Sequence, residues 1–591
     1  MNGFIEAALP AIRWLHLAAL LSSLGTEAFR LLAWGRLGAA PEAASLLRRL
    51  TWFSRAGVAI SLVSGVAWLW FQGGAMLGNA VASREAALAV LQTRFGETLL
   101  LRLALLVIAL WLLQSEKSGR SIALPLLAAA AFLQGGLGHG AATEGWVTIA
   151  LGLHVVAAGL WLGALLPLLA TCTLLPAQAA AIARRFTPLG LACVLTLALT
   201  SLMQVQALLG TLAATLGTSY GRLILLKLVL FAGLLAIASA SRFRFVPQAE
   251  AGGSTRGLRR ALALETGLGL AMVAAAAALA SQPPGIHEQP DWPLPLRPVP
   301  GLWDDAYLRD GLLRLLGPVA IAVALFALAF LLRKLRWPAL AAGAVALFYV
   351  QVPPWRPYVV AAVPTSFQLS PTGHSARAIA TGRALFQRDC ASCHGSDARG
   401  RGPVAVAQAV WPPDLSAPLI AGRPGGELFW SIRHGAEPMP AATGLEDAEI
   451  WALIDFIRLR AGARIYAPSE MRFAGAARMP GFVARCRDDA ILAPGNGRVL
   501  RLWIEPGPLG ATAQVQADGA VARCPVEDPE PLAAALAELT GGKAPPAQVL
   551  IDANGWLRRA FKTESSASPD IVATELTLIR EQPFDATSLH H

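Results

Sequence analysis

The first 352 residues of this 591-residue chain hold ten long apolar runs separated by short polar breaks, and no other feature narrows the fold as much. The runs lie at about 8–30, 51–72, 96–114, 121–138, 146–171, 186–209, 221–241, 259–281, 310–332 and 337–352. A hydrocarbon core of ~30 Å takes about 20 helical residues to cross. Most runs reach that length, and the tenth is short. Leu, Ala, Val and Gly dominate without two-residue alternation, so the spans read as helices and not barrel strands. No small-residue cleavage site follows the first run, which therefore reads as an uncleaved helix. Only 15% of residues are charged, against about a quarter in a soluble domain.

The formal net charge of +11 admits nucleic acid, anionic lipid or membrane topology as its cause, and position decides. The odd gaps carry the basic residues: Arg30, Arg36, Arg48 and Arg49; Lys117 and Arg120; Arg184 and Arg185; Arg242, Arg244, Arg256, Arg259 and Arg260; Arg333, Lys334 and Arg336. The even gaps are poor in Lys and Arg, and the eighth, residues 282–309, is Pro-rich and acidic. The positive-inside rule makes the odd gaps cytoplasmic, so both termini face outward, the periplasmic side if the membrane is a bacterial inner one. No basic patch lies in a polar, foldable module, which excludes nucleic acid as a partner. No hydrolytic constellation or phosphate-cradling loop occurs, so a carrier or transporter is expected rather than a hydrolase, transferase or ATP-driven pump.

The membrane part repeats. His16-x7-Leu24-Gly25 in the first run matches His154-x7-Leu162-Gly163 in the fifth. Arg48-Arg49-Leu50-Thr51 matches Arg184-Arg185-Phe186-Thr187, and Phe95-Gly96 followed by Arg102 matches Tyr220-Gly221 followed by Lys227. Helices 1–4 and 5–8 therefore read as parallel repeats. Each histidine lies about 12–15 Å inside the outer end of its helix at 1.5 Å per residue, and Arg102 and Lys227 fall near that level. Ionisable groups at such depth face a bundle interior or a wet cavity, so a matched pair is a candidate ligand or proton site. Met203 near the outer end of the sixth run is either a soft thioether suited to Cu(I) or core filler.

At His154-x6-Trp161-Leu-Gly163, Arg185-Phe186 and Thr218-Ser-Tyr220-Gly221-Arg222-Leu with Lys227, the chain resembles the CopD-type copper-resistance membrane proteins. The likeness covers about residues 140–250 well and the first four helices more loosely. Trp161-Leu-Gly163-Ala164 departs from the family's Trp-x-Gly-Gly. The resemblance implies periplasmic copper handling, with copper taken into or across the inner membrane, and makes His16 and His154 the expected copper ligands.

Cys390-Ala-Ser-Cys393-His394 is the strongest chemical signal. Two thiols flanking two residues can each bond a haem vinyl group, and the adjacent His is then held against the iron. A zinc pair or redox dithiol would use the same spacing. However, an amphipathic segment precedes this motif, a Gly-rich loop follows it, and Met439-Pro440 arrives 45 residues after the His. A closing helix, 446–460, carries Trp451, Leu453, Ile454, Phe456 and Ile457. Residues 374–463 resemble a class I cytochrome c, which implies one covalent haem c on Cys390 and Cys393, His394 as proximal ligand and Met439 as distal ligand. Met471, Met479 and His434 compete for the distal place. Residues 478–580 weakly resemble a thioredoxin-like fold, with Asn554-Gly555 as a hairpin turn and with Cys486 and Cys524 as a structural disulfide, a redox or copper-thiolate pair, or unpaired thiols. Cys172 and Cys193 read as packing residues, and His590-His591 as the end of a disordered tail.

The expected architecture is multidomain. Residues 1–281 form the CopD-like bundle of helices 1–8. Residues 282–352 add a periplasmic loop and two further transmembrane helices, and 353–373 a Pro-marked tether. Residues 374–465 form an all-α cytochrome c domain and 478–580 a small α/β thioredoxin-like domain. The expected function is copper handling by a protein that carries its own one-electron centre, whose partners are the bilayer, copper, and a periplasmic redox partner or copper chaperone. Two alternatives stand beside it. In one, His16 and His154 ligate a b-type haem that feeds the c-type haem, with Arg102 and Lys227 on its propionates. In the other, the membrane part is a scaffold for copper-protein or oxidase assembly.

Overall fold

The computed structural model describes residues 2–33, 41–76, 83–114, 118–138, 145–331, 333–467, 469–507, 510–518, 523–542, 544–563, 567–582 and 584. Arg36, Lys117, His590 and His591 lie outside them. The chain divides into two compact units, residues 1–290 and 291–591.

The first unit is helical: α1 (Asn2–Ala33), α2 (Pro41–Met76), α3 (Arg84–Leu91), α4 (Arg94–Leu112), α5 (Ser118–Phe132), α6 (Gly145–Leu162), α7 (Leu165–Leu174), α8 (Pro176–Leu208), α9 (Leu212–Gly217), α10 (Ser219–Ala240), α11 (Val246–Glu250) and α12 (Arg256–Leu279). Among the described residues of the whole chain, seven helical stretches are long and apolar enough to cross a membrane, all of them in this unit. The fourth apolar run, α5, is a shorter helix. Several basic residues assigned to gaps ride on helix ends. Arg30 sits in the last turn of α1, buried and paired with Glu27 at 3.0 Å.

The repeat is visible in the backbone. A short helix, α3 or α9, precedes the third long helix of each half. Thr93 then caps α4 by accepting from Gly96 N, and Thr218 caps α10 by accepting from Gly221 N. A Cβ on Gly96 would overlap the Val90 carbonyl, and one on Gly221 the Ala214 carbonyl. Both glycines therefore let the long helix seat directly on the short one before it. The two halves meet where α1 crosses α6: a Cβ on Gly25 would overlap Gly163, and one on Gly163 would overlap the Leu21 carbonyl.

In the second unit, α13 (Ala306–Leu331) and α14 (Arg336–Phe348) are the ninth and tenth apolar runs, packed on each other with Gly343 against the Phe326 ring. Residues 353–373, expected as a tether, form an ordered strap. β2 (Val359–Ala361) pairs antiparallel with β1 (Leu296–Pro298) from the loop before α13. Trp292 N donates to Pro364 O at 2.7 Å, and the Trp292 ring packs on Phe367 at 4.8 Å between centroids. Three-residue strands carry no readable periodicity, and the partner strand lies far away in sequence.

The cytochrome part comprises α15 (Ala376–Leu385), α16 (Ala391–His394), α17 (Pro418–Gly422), α18 (Gly425–His434) and α19 (Asp447–Ala463). The C-terminal sheet has the order β3–β4–β11–β10–β7–β8–β9: Tyr466–Ala467, Arg472–Arg478, Trp556–Phe561, Gln548–Ile551, Leu500–Gly507, Gly510–Ala517 and Cys524–Pro525. β5 (Ala484–Arg485) and β6 (Ile491–Leu492) form a separate pair, and α20 (Pro529–Leu539) and α21 (Pro569–Glu581) complete the region. Every pairing in the sheet is antiparallel. A thioredoxin-like sheet contains parallel strands joined by helical crossovers, so that expectation is corrected to a small antiparallel α/β unit. Its first strand begins at Tyr466, ahead of the expected boundary at 478. Ile379, Phe386 and Phe456 of the cytochrome share one core with Leu536, Leu539 and Val549. The cytochrome part and the C-terminal sheet are therefore one packed body, not beads on a string. Cys486 and Cys524 are joined in a disulfide with a Cα–Cα distance of 4.7 Å.

Candidate functional site

In the membrane unit each histidine sits nine residues before its crossing glycine. At about 3.6 residues per turn that is about two and a half turns, so glycine and histidine occupy opposite faces. The glycines face the other repeat while the histidines face the interior of their own.

His16 is fully buried. Its Nδ1 lies 2.8 Å from the Ser61 carbonyl and 3.4 Å from Ser64 Oγ, both on α2. A carbonyl only accepts, so Nδ1 carries the proton and Nε2 keeps a bare lone pair. That Nε2 is buried without a partner. A metal-binding histidine commonly donates its other ring nitrogen to a carbonyl in this way. Trp68 packs edge-on against the ring at 5.6 Å, and the Arg13 guanidinium lies over Trp68 at 5.5 Å. Arg102 on α4 is also fully buried; its Nη1 donates to Gln134 Oε1 at 2.6 Å, while its Nε and Nη2 have no partner.

The second repeat builds a related but less polar site. His154 Nδ1 is 3.0 Å from Thr200 Oγ1, whose own proton goes to the Thr196 carbonyl at 2.6 Å, so Nδ1 is again the donor. Thr200 is the repeat equivalent of Ser64, counting from the paired arginines. Lys227 holds the repeat position of Arg102, so each half carries a cation at this place on its third long helix. Met203 lies one turn beyond Thr200 on the same side of α8, half-buried. Sequence comparison found the histidines and the cations but missed the hydroxyls. Ser64 and Thr200 keep the same spacing from the paired arginines, which was the available signal. The equivalents of Ser23, Ser54 and Ser61 are Trp161, Gly190 and Leu197, and those of Glu27 and Arg30 are Leu165 and Leu168. Repeat 1 is thus polar where repeat 2 is apolar. Among the described residues no group of three or more His, Cys, Asp or Glu side chains stands ready for a metal.

The haem motif is held by two crossing helices in the second unit. Ser375 caps α15 through Ala378 N at 3.2 Å, and a capping box, Glu446 with Glu449, starts α19. Gly382 permits the crossing, since a Cβ there would overlap the Ala452 carbonyl. A π-turn, Phe386–Cys390, then delivers the motif on α16. Gly395 adopts φ 78°, and the following loop returns to satisfy the last carbonyls of the turn. Gly400 N donates to His394 O at 2.8 Å, Gly402 N to Cys393 O at 3.0 Å and Val404 N to Ser392 O at 2.9 Å.

The donor set fits a covalent haem. His394 is buried against Phe386, with ring centroids 6.5 Å apart. Burial lowers its pKa, against the opposing pull of the Pro413 carbonyl, so the ring is neutral at pH 7 and can donate its lone pair. Its Nδ1 is buried short of a full hydrogen bond. The Cys390 thiol is pushed up to about 11, first by burial and then by Asp389, which makes it a poor redox thiolate. Within residues 374–463 the exposed large apolar side chains are Val404, Val406, Val410, Trp411 and Leu419, all between the histidine and Met439. An apolar macrocycle seated there would cover such a surface.

Met439 is held in a tight loop, with Ala436 N donating to Met439 O at 3.0 Å and Met439 N to Ala436 O at 2.7 Å. The rivals for the distal place are occupied elsewhere. Met479 is buried in the core shared with the sheet, Met471 packs under α21, and His434 stacks on Trp430 at 3.7 Å. The strap reaches this region too. Arg297 donates to Glu427 Oε1 from Nη2 at 2.8 Å and from Nε at 3.0 Å, and Thr365 Oγ1 donates to the Gly426 carbonyl at 2.6 Å. Both contacts fall on the first turn of α18, the helix that leads to the Met439 loop. The sequence reading missed Arg297 because it lies in a Pro-rich gap with no motif.

Comparison with known proteins finds relatives for both the membrane part and the haem-motif part of the chain. The family described as copper resistance protein D-like, N-terminal domain, matches residues 4–149, and copper resistance protein D matches residues 180–279. The family described as cytochrome c oxidase, cbb3-type, subunit III, matches residues 377–457. Inner membrane protein YebZ of Escherichia coli (strain K12) is 30% identical over 251 residues, which cover 40% of this chain and 84% of that protein. No solved structure matches the chain.

Proposed function

Because the chain belongs to the copper resistance protein D family through its multi-pass inner-membrane half and carries a cbb3-type cytochrome c domain, we propose that it takes up periplasmic copper as Cu(I), with its own haem as the one-electron partner. The observation that carries this reading is the tautomer of His16. Its Nδ1–H is committed to the Ser61 carbonyl, and the buried Nε2 lone pair has no protein partner.

Cys390, Cys393, His394 and Met439 would hold haem c, which supplies reversible one-electron chemistry. A one-electron centre of this kind would supply the reduction that separates Cu(II) from the Cu(I) a soft-ligand site prefers. His394 is kept neutral by burial, Met439 is presented by its hydrogen-bonded loop, and Arg297 and Thr365 hold the helix that leads to that loop. The distribution of Lys and Arg supports cytoplasmic odd gaps and, with them, a haem domain on the periplasmic side, where copper would arrive oxidised.

A second reading, a b-type haem ligated by His16 and His154, draws on the cation beside each histidine. The opposite-face placement of histidine and crossing glycine weighs against it, since each histidine turns into its own repeat. One experiment separates the two: metal analysis with a reduced pyridine-haem spectrum on purified full-length protein. One haem c plus copper that is lost in His16→Ala is the expected result. A b-type haem signal lost in the His16→Ala/His154→Ala double variant would replace copper handling with transmembrane electron transfer.

A further inference from the structure

The His16 site contains a charge problem that a bare metal ion would worsen. Arg102 is fully buried, and among the described residues its only hydrogen-bond partner is the neutral Gln134. Guanidinium does not give up its proton in a protein, so a Cu(I) ion on His16 Nε2 would add a second positive charge in a dry interior. Glu27, the buried carboxylate of this repeat among the described residues, is already paired with Arg30. Three further donor atoms of this repeat, Arg102 Nε, Arg102 Nη2 and Trp68 Nε1, are buried without partners, as is His16 Nε2. Trp68 touches His16 directly, and a Cβ added to Gly65 would meet both the Leu103 side chain and the His16 ring, which brings α4 up to the histidine. Arg13 closes the outer side, with Nη1 donating to Ser281 and Nη2 to Gln72. One lone pair and three N–H donors are the complement of one cation and one anion.

We propose that His16 binds Cu(I) together with a compact monoanion, a halide or a small carboxylate, held by Arg102 and the Trp68 indole N–H. The metal then enters repeat 1 as a neutral pair, and desolvation costs far less than for two like charges. Repeat 2 cannot do this in the same way. The equivalent of Trp68 is Gln204, whose Nε2 already donates to the Thr200 carbonyl at 3.1 Å, and Arg102 is replaced by Lys227. The proposal rests on the copper reading and adds the co-ligand and the repeat that holds it.

The test uses purified full-length protein titrated with Cu(I) against a chromophoric chelator at constant ionic strength. Methanesulfonate serves as the non-coordinating reference, with chloride, bromide or acetate as the added anion. Wild-type affinity should rise by about thirtyfold with a coordinating anion, and the halide and acetate arms identify the source. Arg102→Gln should remove the anion dependence. In bromide, X-ray absorption at the copper edge should show one bromine and one nitrogen scatterer in the wild type, a readout that needs no variant to fold. Equal wild-type affinity in methanesulfonate and every other anion would overturn the proposal, as would tighter copper binding by Arg102→Gln in all media. Absence of His16-dependent copper in every medium would instead remove the copper reading beneath it.

Discussion

In repeat 1, α1 meets α2 through Ser23, Ser54 and Ser61, whereas the same positions of α6 and α8 are Trp161, Gly190 and Leu197. Ser23 Oγ donates to the Ser54 carbonyl at 3.2 Å and Ser61 Oγ to the His16 carbonyl at 3.3 Å. Trp161 instead packs edge-on against Phe231 at 6.2 Å. The two halves keep the same capped short helices, crossing glycines and histidine–hydroxyl pairs. What was kept is therefore the frame, and what diverged is the lining. A duplicated bundle needs both copies of the frame to close its core, but one polar interior is enough for a site.

The largest expected effect tests that division directly. His16→Ala should abolish stoichiometric Cu(I) binding, while His154→Ala should retain most of it, as measured by copper content after desalting. Equal loss in both variants would mean that the repeats share the work. Next comes the buried ion pair peculiar to repeat 1. Glu27→Gln leaves Arg30 buried without a counter-charge and should cost about 3–5 kcal/mol, read as a lowered midpoint of thermal unfolding in detergent. Leu165 and Leu168 fill the equivalent places in repeat 2, so the double replacement Glu27→Leu/Arg30→Leu should recover most of that loss.

The shared frame should respond alike in both halves. Gly25→Ala and Gly163→Ala each force the crossing of α1 and α6 apart and should cost about 1–3 kcal/mol. A difference between them beyond about 1 kcal/mol would show that the crossing is not symmetric. The smallest effect is at the caps: Thr93→Ala and Thr218→Ala each remove one N-cap acceptor, at about 1 kcal/mol. Matching losses in the two variants would confirm that the short-helix frame is common to both repeats.

Much of this was legible in the sequence. The Cys-x-x-Cys-His motif is local, so Cys390, Cys393 and His394 stand out as candidates from spacing alone, and the order of motif, methionine and closing helix makes Met439 a candidate beside them. The membrane spans follow from a length requirement that each run meets or fails alone. The matched His-x7-Leu-Gly motifs implied the repeat, because three polar anchors recur in one order. The C-terminal region was read less well. Asn554-Gly555 does make a turn, with Gly555 at φ 86° between β10 and β11, but a correct turn does not determine strand direction elsewhere in a sheet.

What the sequence by itself determined, then, are features set by neighbours along the chain: helices, caps, the Cys-x-x-Cys-His motif and the charge asymmetry. Tertiary structure alone decided the rest. It turned the Pro-marked segment at 353–373 into a strap, because β1 lies about sixty residues upstream. It merged the cytochrome and the C-terminal sheet through a common core, which no boundary in composition records. It also assigned His16 its tautomer, since the Ser61 carbonyl that takes the Nδ1 proton comes from another helix. A side chain's residue type is written in the sequence, but its protonation, its partner and its unspent lone pair depend on what the fold brings within hydrogen-bonding distance.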